Sequence, residues 1–160
     1  MKPPLIDFNE FGFDHVVADK AQIQHCNPHR FELELLDGVL LIDRQRAVGF
    51  KQTSSSDFWV RGHFPGRPVM PGVLICECAA QLTSFFACYH SIQGAGIIGL
   101  GGMENVRFRS QVVPGDRLTI MLQQKRFRQN ILLVTEFQVY VGENLAAEGE
   151  ITGVMLGEPR

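Results

Sequence analysis

The residues best suited to acid–base chemistry in this sequence are Glu77 and His63. Glu77 is the only charged residue between Arg67 and His90, and it stands in an apolar run that predicts a buried helix. A buried carboxylate must be neutralised, paired or hydrogen-bonded, and desolvation raises its pKa. Two interpretations therefore stay open at this point: a general acid that is protonated at rest, or the ion-pair partner of an arginine on a neighbouring strand.

Helical spacing gives Glu77 two polar neighbours. Gln81 and Ser84 follow it at i+4 and i+7, which places the three side chains on one stripe of the helix. We therefore expect Gln81 to orient the carboxyl group of Glu77.

His63 precedes this helix in a loop that is dense in glycine and proline. An imidazole with an ordinary pKa of ~6.5 can act as a base at neutral pH, although an ordinary loop histidine is the simpler interpretation of His63 alone. Gly72 stands at the helix start, where an unpaired N–H and the helix dipole favour a developing oxyanion, unless this glycine serves only close packing. Together, a base, an acid and an oxyanion donor suit proton abstraction beside a carbonyl with loss of a β-hydroxyl group.

The elements that must position these groups follow from periodicity and turn signals. Pro71 favours a helix start, and this helix is predicted to run to about His90. Asp19 is predicted to cap a short helix that ends near Cys26, with Gln22 in the capping box. The predicted strands are two within residues 31–52 around an Asp37-Gly38 turn, and four more over 97–109, 117–128, 131–141 and 145–156. This is an α+β pattern in which a sheet covers one long helix, with residues 1–20 as an N-terminal extension and 21–160 as a single domain.

Composition narrows the classes of function. The chain has 160 residues and a formal net charge of -2, which argues against a dedicated nucleic-acid binder. Glu77 and Gln81 would be costly in the middle of a membrane span, so a helix buried in protein is expected. The four cysteines show no zinc spacing and are expected to be free, as in a reducing cytoplasm. The spacing of His25 and His29 does not predict a metal site either, because Pro28 breaks their helix, and no cofactor is predicted.

At this point the sequence is identified as similar to a known family. Residues 62–81, with the pattern Gly-His-Phe-Pro-Gly-x-Pro-Val-x-Pro-Gly-Val-Leu-Ile-x-Glu-x-x-Ala-Gln, resemble the signature of the bacterial 3-hydroxyacyl-acyl-carrier-protein dehydratases. Three further segments resemble the same family, namely Pro28-His29-Arg30-Phe31, Val106-Arg107-Phe108 and Val112-Val113-Pro114-Gly115-Asp116. The resemblance covers roughly residues 21–157.

The resemblance implies a hot-dog fold and a homodimer, or a trimer of such dimers, with each site shared between two subunits. It implies that His63 is the base at C2 of the substrate, that Glu77 gives a proton to the departing hydroxyl, and that Gly72 holds the thioester oxygen. Phe64, Pro71 and Gln81 are expected to line the same site. Glu77 places the chain in the Glu-type branch, which forms the trans-2-enoyl product in type II fatty acid synthesis without isomerising it.

The resemblance also implies acyl carrier protein as the partner. Five basic residues are expected to form a patch for this acidic protein on two neighbouring strands, although a solvated edge explains them equally well: Arg107, Arg109, Lys125, Arg126 and Arg128. An enzyme acting on coenzyme A thioesters or in a specialised lipid or polyketide pathway, and a non-catalytic acyl-binding hot-dog module, are the alternatives. Intact His63 and Glu77 argue against the last.

Overall fold

The computed structural model describes residues 3–92 and 97–156, and its central feature is one long helix packed on an antiparallel sheet. The helices are α1 (Lys20–Cys26) and α2 (Gly72–Tyr89), with short 3-10 turns at Phe8–Glu10 and Phe31–Leu33. The strands are β1 (Gly38–Ile42), β2 (Arg46–Gln52), β3 (Ile97–Phe108), β4 (Arg117–Arg128), β5 (Leu132–Val141) and β6 (Asn144–Leu156). Their order in the six-stranded sheet is β1-β2-β4-β5-β6-β3. The predicted α+β hot-dog architecture is confirmed, whereas Gly94 and Gly96, expected to follow the long helix, lie outside the described residues.

Helix α2 fills the concave side of the sheet. Leu82 and Phe86 are fully buried there, and Gly49 on β2 lets the sheet approach because a Cβ at this position would lie 3.1 Å from Leu82 Cδ1. A buried hydroxyl pair, Thr83 Oγ1 and Thr135 Oγ1 at 2.8 Å, also joins the helix to β5. By length and composition α2 could cross a membrane, but most of it is buried inside the protein as the core helix. This packing fixes which face of α2 turns toward solvent.

Helix α1 begins as the sequence predicts. Asp19 accepts from the Gln22 N–H at 3.0 Å, and the Gln22 side chain accepts from the Asp19 N–H at 2.9 Å, which completes the capping box. The end of α1 is joined to the end of α2 by a disulfide between Cys26 and Cys88, whose Cα atoms lie 5.6 Å apart. The expectation that every cysteine is free is therefore wrong for this pair, because two helix ends far apart in sequence meet in the fold.

The predicted hairpin turn at Asp37-Gly38 is wrong. The β1–β2 turn instead surrounds Asp43, whose Oδ1 accepts from the N–H groups of Gln45 and Arg46 at 2.9 and 2.8 Å. Asp37 caps the far end of the hairpin, where its Oδ2 accepts from the Gln52 N–H at 2.7 Å. Residues 31–36 form no strand, because backbone groups in this segment bond to a side chain of α2 described below.

Residues 3–20 of the N-terminal extension cover the outer face of the sheet, opposite α2. Ile6 packs with Met121 and Tyr140 in a second, smaller apolar cluster. The Leu5 N–H donates to Gln138 Oε1 at 2.7 Å, which ties the extension to β5. The extension thus closes one face of the sheet and leaves the α2 side for a site.

Candidate active site

The acid candidate, Glu77, lies on α2 with 29% of its side chain accessible, whereas Gln81 and Ser84 on the same stripe are buried. Gln81 Nε2 donates to Glu77 Oε1 at 2.9 Å, which confirms that Gln81 orients the carboxyl group. His29 Nε2 lies 3.3 Å from the same oxygen. Among the described residues no arginine pairs with Glu77, so that alternative is wrong; the ionisable partner is His29, which the sequence pattern did not link to this carboxyl group.

The pKa of Glu77 is lowered, so the prediction of a raised pKa is wrong. Burial does raise the pKa of this carboxyl group, but the side-chain hydrogen bonds of His29 and Gln81, together with the electrostatic interaction with His29, outweigh burial. In the single chain Glu77 is therefore a carboxylate at neutral pH.

Gln81 connects the acid to the segment that follows α1. Its amide Nε2 also donates to the Leu33 carbonyl at 2.7 Å, and its Oε1 accepts from the Leu35 N–H at 3.1 Å. The Gln81 backbone carbonyl accepts from Asn27 Nδ2 at 2.9 Å. Residues 27–35 are thus fixed across α2 beside Glu77, and they form no strand because their polar groups bond here.

His63 is held in a defined orientation by the loop between β2 and α2. Its Nδ1 lies 2.6 Å from the Val69 carbonyl, and the Val69 N–H donates back to the His63 carbonyl at 2.8 Å. A carbonyl only accepts, so Nδ1 carries the hydrogen and Nε2 keeps a lone pair that can take a proton. The ring stacks on Phe64 with centroids 4.0 Å apart, and Phe64 itself is 55% exposed.

Pro71 and Gly72 form the start of α2 as predicted, with Pro71 at the N-cap. The Gly72 N–H makes no backbone hydrogen bond among the described residues and so remains available as a donor. A Cβ on Gly72 would lie 2.7 Å from the Phe108 ring. Close packing therefore requires glycine here, and the role of the Gly72 N–H at an oxyanion stays a prediction.

One chain does not bring His63 and Glu77 together. Glu77 lines a cleft between α2, β3 and β6, formed by His29, Ala80, Thr83, Ser84, Ile98, Gly99, Leu100, Ile151 and Gly153. His63 is absent from this lining. Within the described residues, no hydrogen bond or ion pair joins His63 to Glu77. The structure therefore holds Glu77 and His63 in two separate sets of contacts, one with His29 and Gln81 and the other with Val69.

The five basic residues were expected to lie on two neighbouring strands, but the strands that carry them are not neighbours. β5 and β6 stand between β4 and β3, because β4 continues directly into the β5 hairpin and β6 returns beside β3. Acidic side chains on β6 neutralise part of the set: Lys125 Nζ lies 2.8 Å from Glu150 Oε1, and Arg109 pairs with Glu148. The expected strand adjacency is therefore wrong, although Arg107 and Lys125 line one groove with acidic residues of β5 and β6, and the role of the set in carrier binding stays a prediction. Arg126 and Arg128 are exposed on β4.

Comparison with known proteins gives one consistent family. The model described as a FabA-like domain matches residues 27–150. The 3-hydroxyacyl-[acyl-carrier-protein] dehydratase FabZ of Moorella thermoacetica is 44% identical over 135 residues, which cover 83% of this chain and 93% of that protein. The protein of the same name from Pelotomaculum thermopropionicum is 41% identical over 137 residues, covering 84% and 96%.

Solved structures agree on the fold alone. The dehydratase heterocomplex ApeI:P from Xenorhabdus doucetiae is similar with a TM-score of 0.74 at 15% identity. The superposed region covers 85% of this chain and 91% of the chain from that complex. The PaaI protein from the phenylacetic acid degradation operon of E. coli has a TM-score of 0.62 at 13% identity, covering 84% and 90%.

Proposed function

We infer the function from the family: this chain belongs to the FabA-like family, and it dehydrates 3-hydroxyacyl groups carried on acyl carrier protein in fatty acid synthesis. The observation that carries this conclusion is the 41–44% identity to FabZ dehydratases over more than four fifths of the chain. The matched region, residues 27–150, includes His63, Gly72, Glu77 and Gln81.

The proposed reaction uses His63 as the base and Glu77 as the acid. His63 Nε2 takes a proton from C2, and the electron pair of that C–H bond forms the C2–C3 double bond. The C3–O bond breaks, and the oxygen leaves as water with the proton of Glu77. The Gly72 N–H holds the thioester oxygen while negative charge develops on it, with Phe64 and Pro71 beside the substrate. In this assignment the Glu-type acid yields the trans-2-enoyl product without isomerisation.

Glu77 must be protonated when the hydroxyl leaves, although its pKa is low in the single chain. Because 29% of the Glu77 side chain is accessible to solvent, this group can become more buried when the site closes. Burial is the influence that raises the pKa of this group, and a bound acyl chain and a partner subunit would increase burial. Closing the site therefore favours the acid form at the stage where that form is needed.

We propose that the working unit is a homodimer with composite sites, as the basic unit of any larger trimer of dimers. Within residues 3–92 and 97–156, strand β3 is an edge strand that pairs with β6 alone, and an unpaired edge is a template for another chain. Four of its apolar side chains are 43–53% exposed: Ile97, Leu100, Met103 and Phe108. Such a strand can pair with its own copy in the antiparallel sense, and the resulting two-fold symmetry would bring His63 of one subunit toward Glu77 of the other.

Subunit mixing tests both the reaction and the composite site. His63→Ala and Glu77→Gln proteins should each be inactive on a 3-hydroxyacyl-carrier-protein substrate. After subunit exchange, mixed dimers should regain activity, because one of their two sites holds an intact histidine and an intact acid. Absence of recovery, with exchange verified by mass-labelled subunits, would refute the composite site, and an inactive wild-type protein would refute the reaction.

Carrier and location are proposals of the same kind. Arg126 and Arg128 are proposed to attract the acidic carrier, and assays on coenzyme A thioesters would expose a preference for the other carrier. The proposed location is the cytoplasm. The Cys26–Cys88 disulfide counts against it, since reducing compartments disfavour such bonds, and thiol labelling in producing cells would decide.

A further inference from the structure

We propose that His29 is a positioning residue for Glu77: its Nε2–H holds Oε1 in place so that Oε2 faces the substrate with the transferable proton. This inference rests on the proposed function. Oε1 of Glu77 is approached by both Gln81 and His29, at 2.9 and 3.3 Å. No hydrogen bond to Oε2 exists among the described residues, so the two carboxyl oxygens are chemically distinct.

The hydrogen position on His29 follows from its surroundings. Its Nδ1 is buried and has no hydrogen-bond partner in residues 3–92 and 97–156. A hydrogen on Nδ1 would be a buried donor without an acceptor, which costs more than an unpaired lone pair. The arrangement with hydrogen on Nε2 is therefore favoured, and that nitrogen is the one next to Glu77 Oε1.

The loop around His29 is built to hold the ring in this position. Arg30 binds three backbone carbonyls, those of Gln24, Asn27 and His29, at 3.0, 2.8 and 2.6 Å. Asn27, just before His29, is anchored to the Gln81 carbonyl, and Cys26 is bonded to the end of α2. Because these ties fix the segment on both sides of Pro28, the His29 ring is held against α2 and cannot swing freely. The 3.3 Å separation is long for a hydrogen bond, as is usual for catalytic contacts before substrate binds.

Few other groups can titrate near this pair. The cleft walls from α2, β3 and β6 are uncharged: Ala80, Thr83, Ser84, Ile98, Gly99, Leu100, Ile151 and Gly153. Arg30 is occupied by carbonyls, and the buried thiol of Cys78, which interacts electrostatically with Glu77, has its pKa raised by burial to about 12. Changes in the titration of Glu77 on replacing His29 can therefore be assigned to that contact.

Three variants separate positioning from a merely structural role. His29→Ala removes the donor, His29→Gln restores an uncharged N–H of similar reach, and His25→Ala replaces an exposed histidine on α1 as the matched control. The Glu77 pKa is measured by carbon NMR of the carboxyl group, which needs folded protein but no activity. It should rise in His29→Ala, because burial remains while a hydrogen bond to the carboxylate is lost.

Kinetics on the carrier-bound substrate should show the same order. In His29→Ala, kcat should fall roughly tenfold to a hundredfold with little change in KM, a part of the factor of 10²–10⁴ that a positioned acid contributes. His29→Gln should recover most of kcat, and His25→Ala should match wild type. An unchanged Glu77 pKa in His29→Ala, or equal loss of kcat in His29→Ala and His29→Gln, overturns the inference. Failure of the proposed function is distinct, since wild type itself would then lack activity while the NMR comparison would still report on His29.

Discussion

Replacing Gln81 with leucine should destabilise the protein and disable the acid together. Gln81 is 2% exposed, and its side chain bonds to the Leu33 carbonyl, the Leu35 N–H and Glu77. Leucine has a similar volume, so few packing contacts are lost. Leu33 is half exposed and its carbonyl can be hydrated, but Leu35 is buried and its N–H would be left without an acceptor.

The size of the effect follows from these contacts. An orphaned buried donor costs about 1–3 kcal/mol, and a lost bond to a charged group about 1.5–3 kcal/mol. Burial of the more apolar side chain offsets roughly 1–2 kcal/mol of that loss. We therefore expect the free energy of unfolding to fall by about 3 kcal/mol, within a span of roughly 0.5–5 kcal/mol.

Urea denaturation followed by circular dichroism measures this loss. With a central loss of about 3 kcal/mol and a urea m value of about 2 kcal/mol/M, the midpoint should move down by roughly 1.5 M. Gln123→Leu is the control, because Gln123 is only half-buried and its side chain has no hydrogen-bond partner in the described structure. Its unfolding free energy should stay within about 0.5 kcal/mol of wild type. Equal stability of Gln81→Leu and Gln123→Leu would refute the claim that Gln81 anchors residues 27–35.

Three further outcomes are expected. Glu77→Gln should lose at least about a hundredfold in kcat. Because the pKa of Glu77 is lower in the folded protein than its ordinary value of 4.5, the ionised side chain stabilises the fold above that pH. In urea titrations, the stability advantage of wild type over this variant should therefore disappear as pH falls below 4.5. Reduction of the Cys26–Cys88 bond, which spans 62 residues, should cost about 4 kcal/mol of unfolding free energy, and a reductant should leave Cys26→Ser unchanged. Charge reversal at Arg126 and Arg128 should raise KM for the carrier-bound substrate more than for a short pantetheine thioester, with exposed Arg44→Glu as control; equal effects on both substrates would contradict the docking role.

The sequence predicted best where local chemistry decides the structure. The long helix was expected from Pro71 to about His90 and runs over Gly72–Tyr89, because an apolar run after a proline has few other stable states. The predicted capping box at Asp19 is present. The strand over 117–128 was predicted with its observed bounds, since its alternation is set by one buried face.

Prediction from the sequence failed where segments distant in the chain form hydrogen bonds with the same backbone groups. Asp37-Gly38 is a good turn dipeptide, but the neighbouring backbone bonds to Gln81 on α2, more than forty residues away, and the hairpin turn moves to Asp43. Strand adjacency was misjudged because local pattern does not reveal that β5 and β6 lie between β4 and β3. His29 was missed as the partner of Glu77 because Pro28 removes it from any helix and therefore from any periodicity argument.

The lowered pKa of Glu77 suggests how the protonation of the site is controlled. Burial alone would keep the carboxyl group of Glu77 protonated. That neutral group would then have no hydrogen-bond partners and would be free to rotate. His29 and Gln81 fix one carboxyl oxygen at the expense of lowering the pKa, so in the single chain the group is oriented but ionised. His63, the proposed base, is oriented by Val69 and makes no hydrogen bond to Glu77 among the described residues. Orientation of each group is therefore completed by the fold of one chain, whereas in the proposed dimer the protonated acid and the base beside it would require the water-excluding contacts of a partner subunit and the acyl chain.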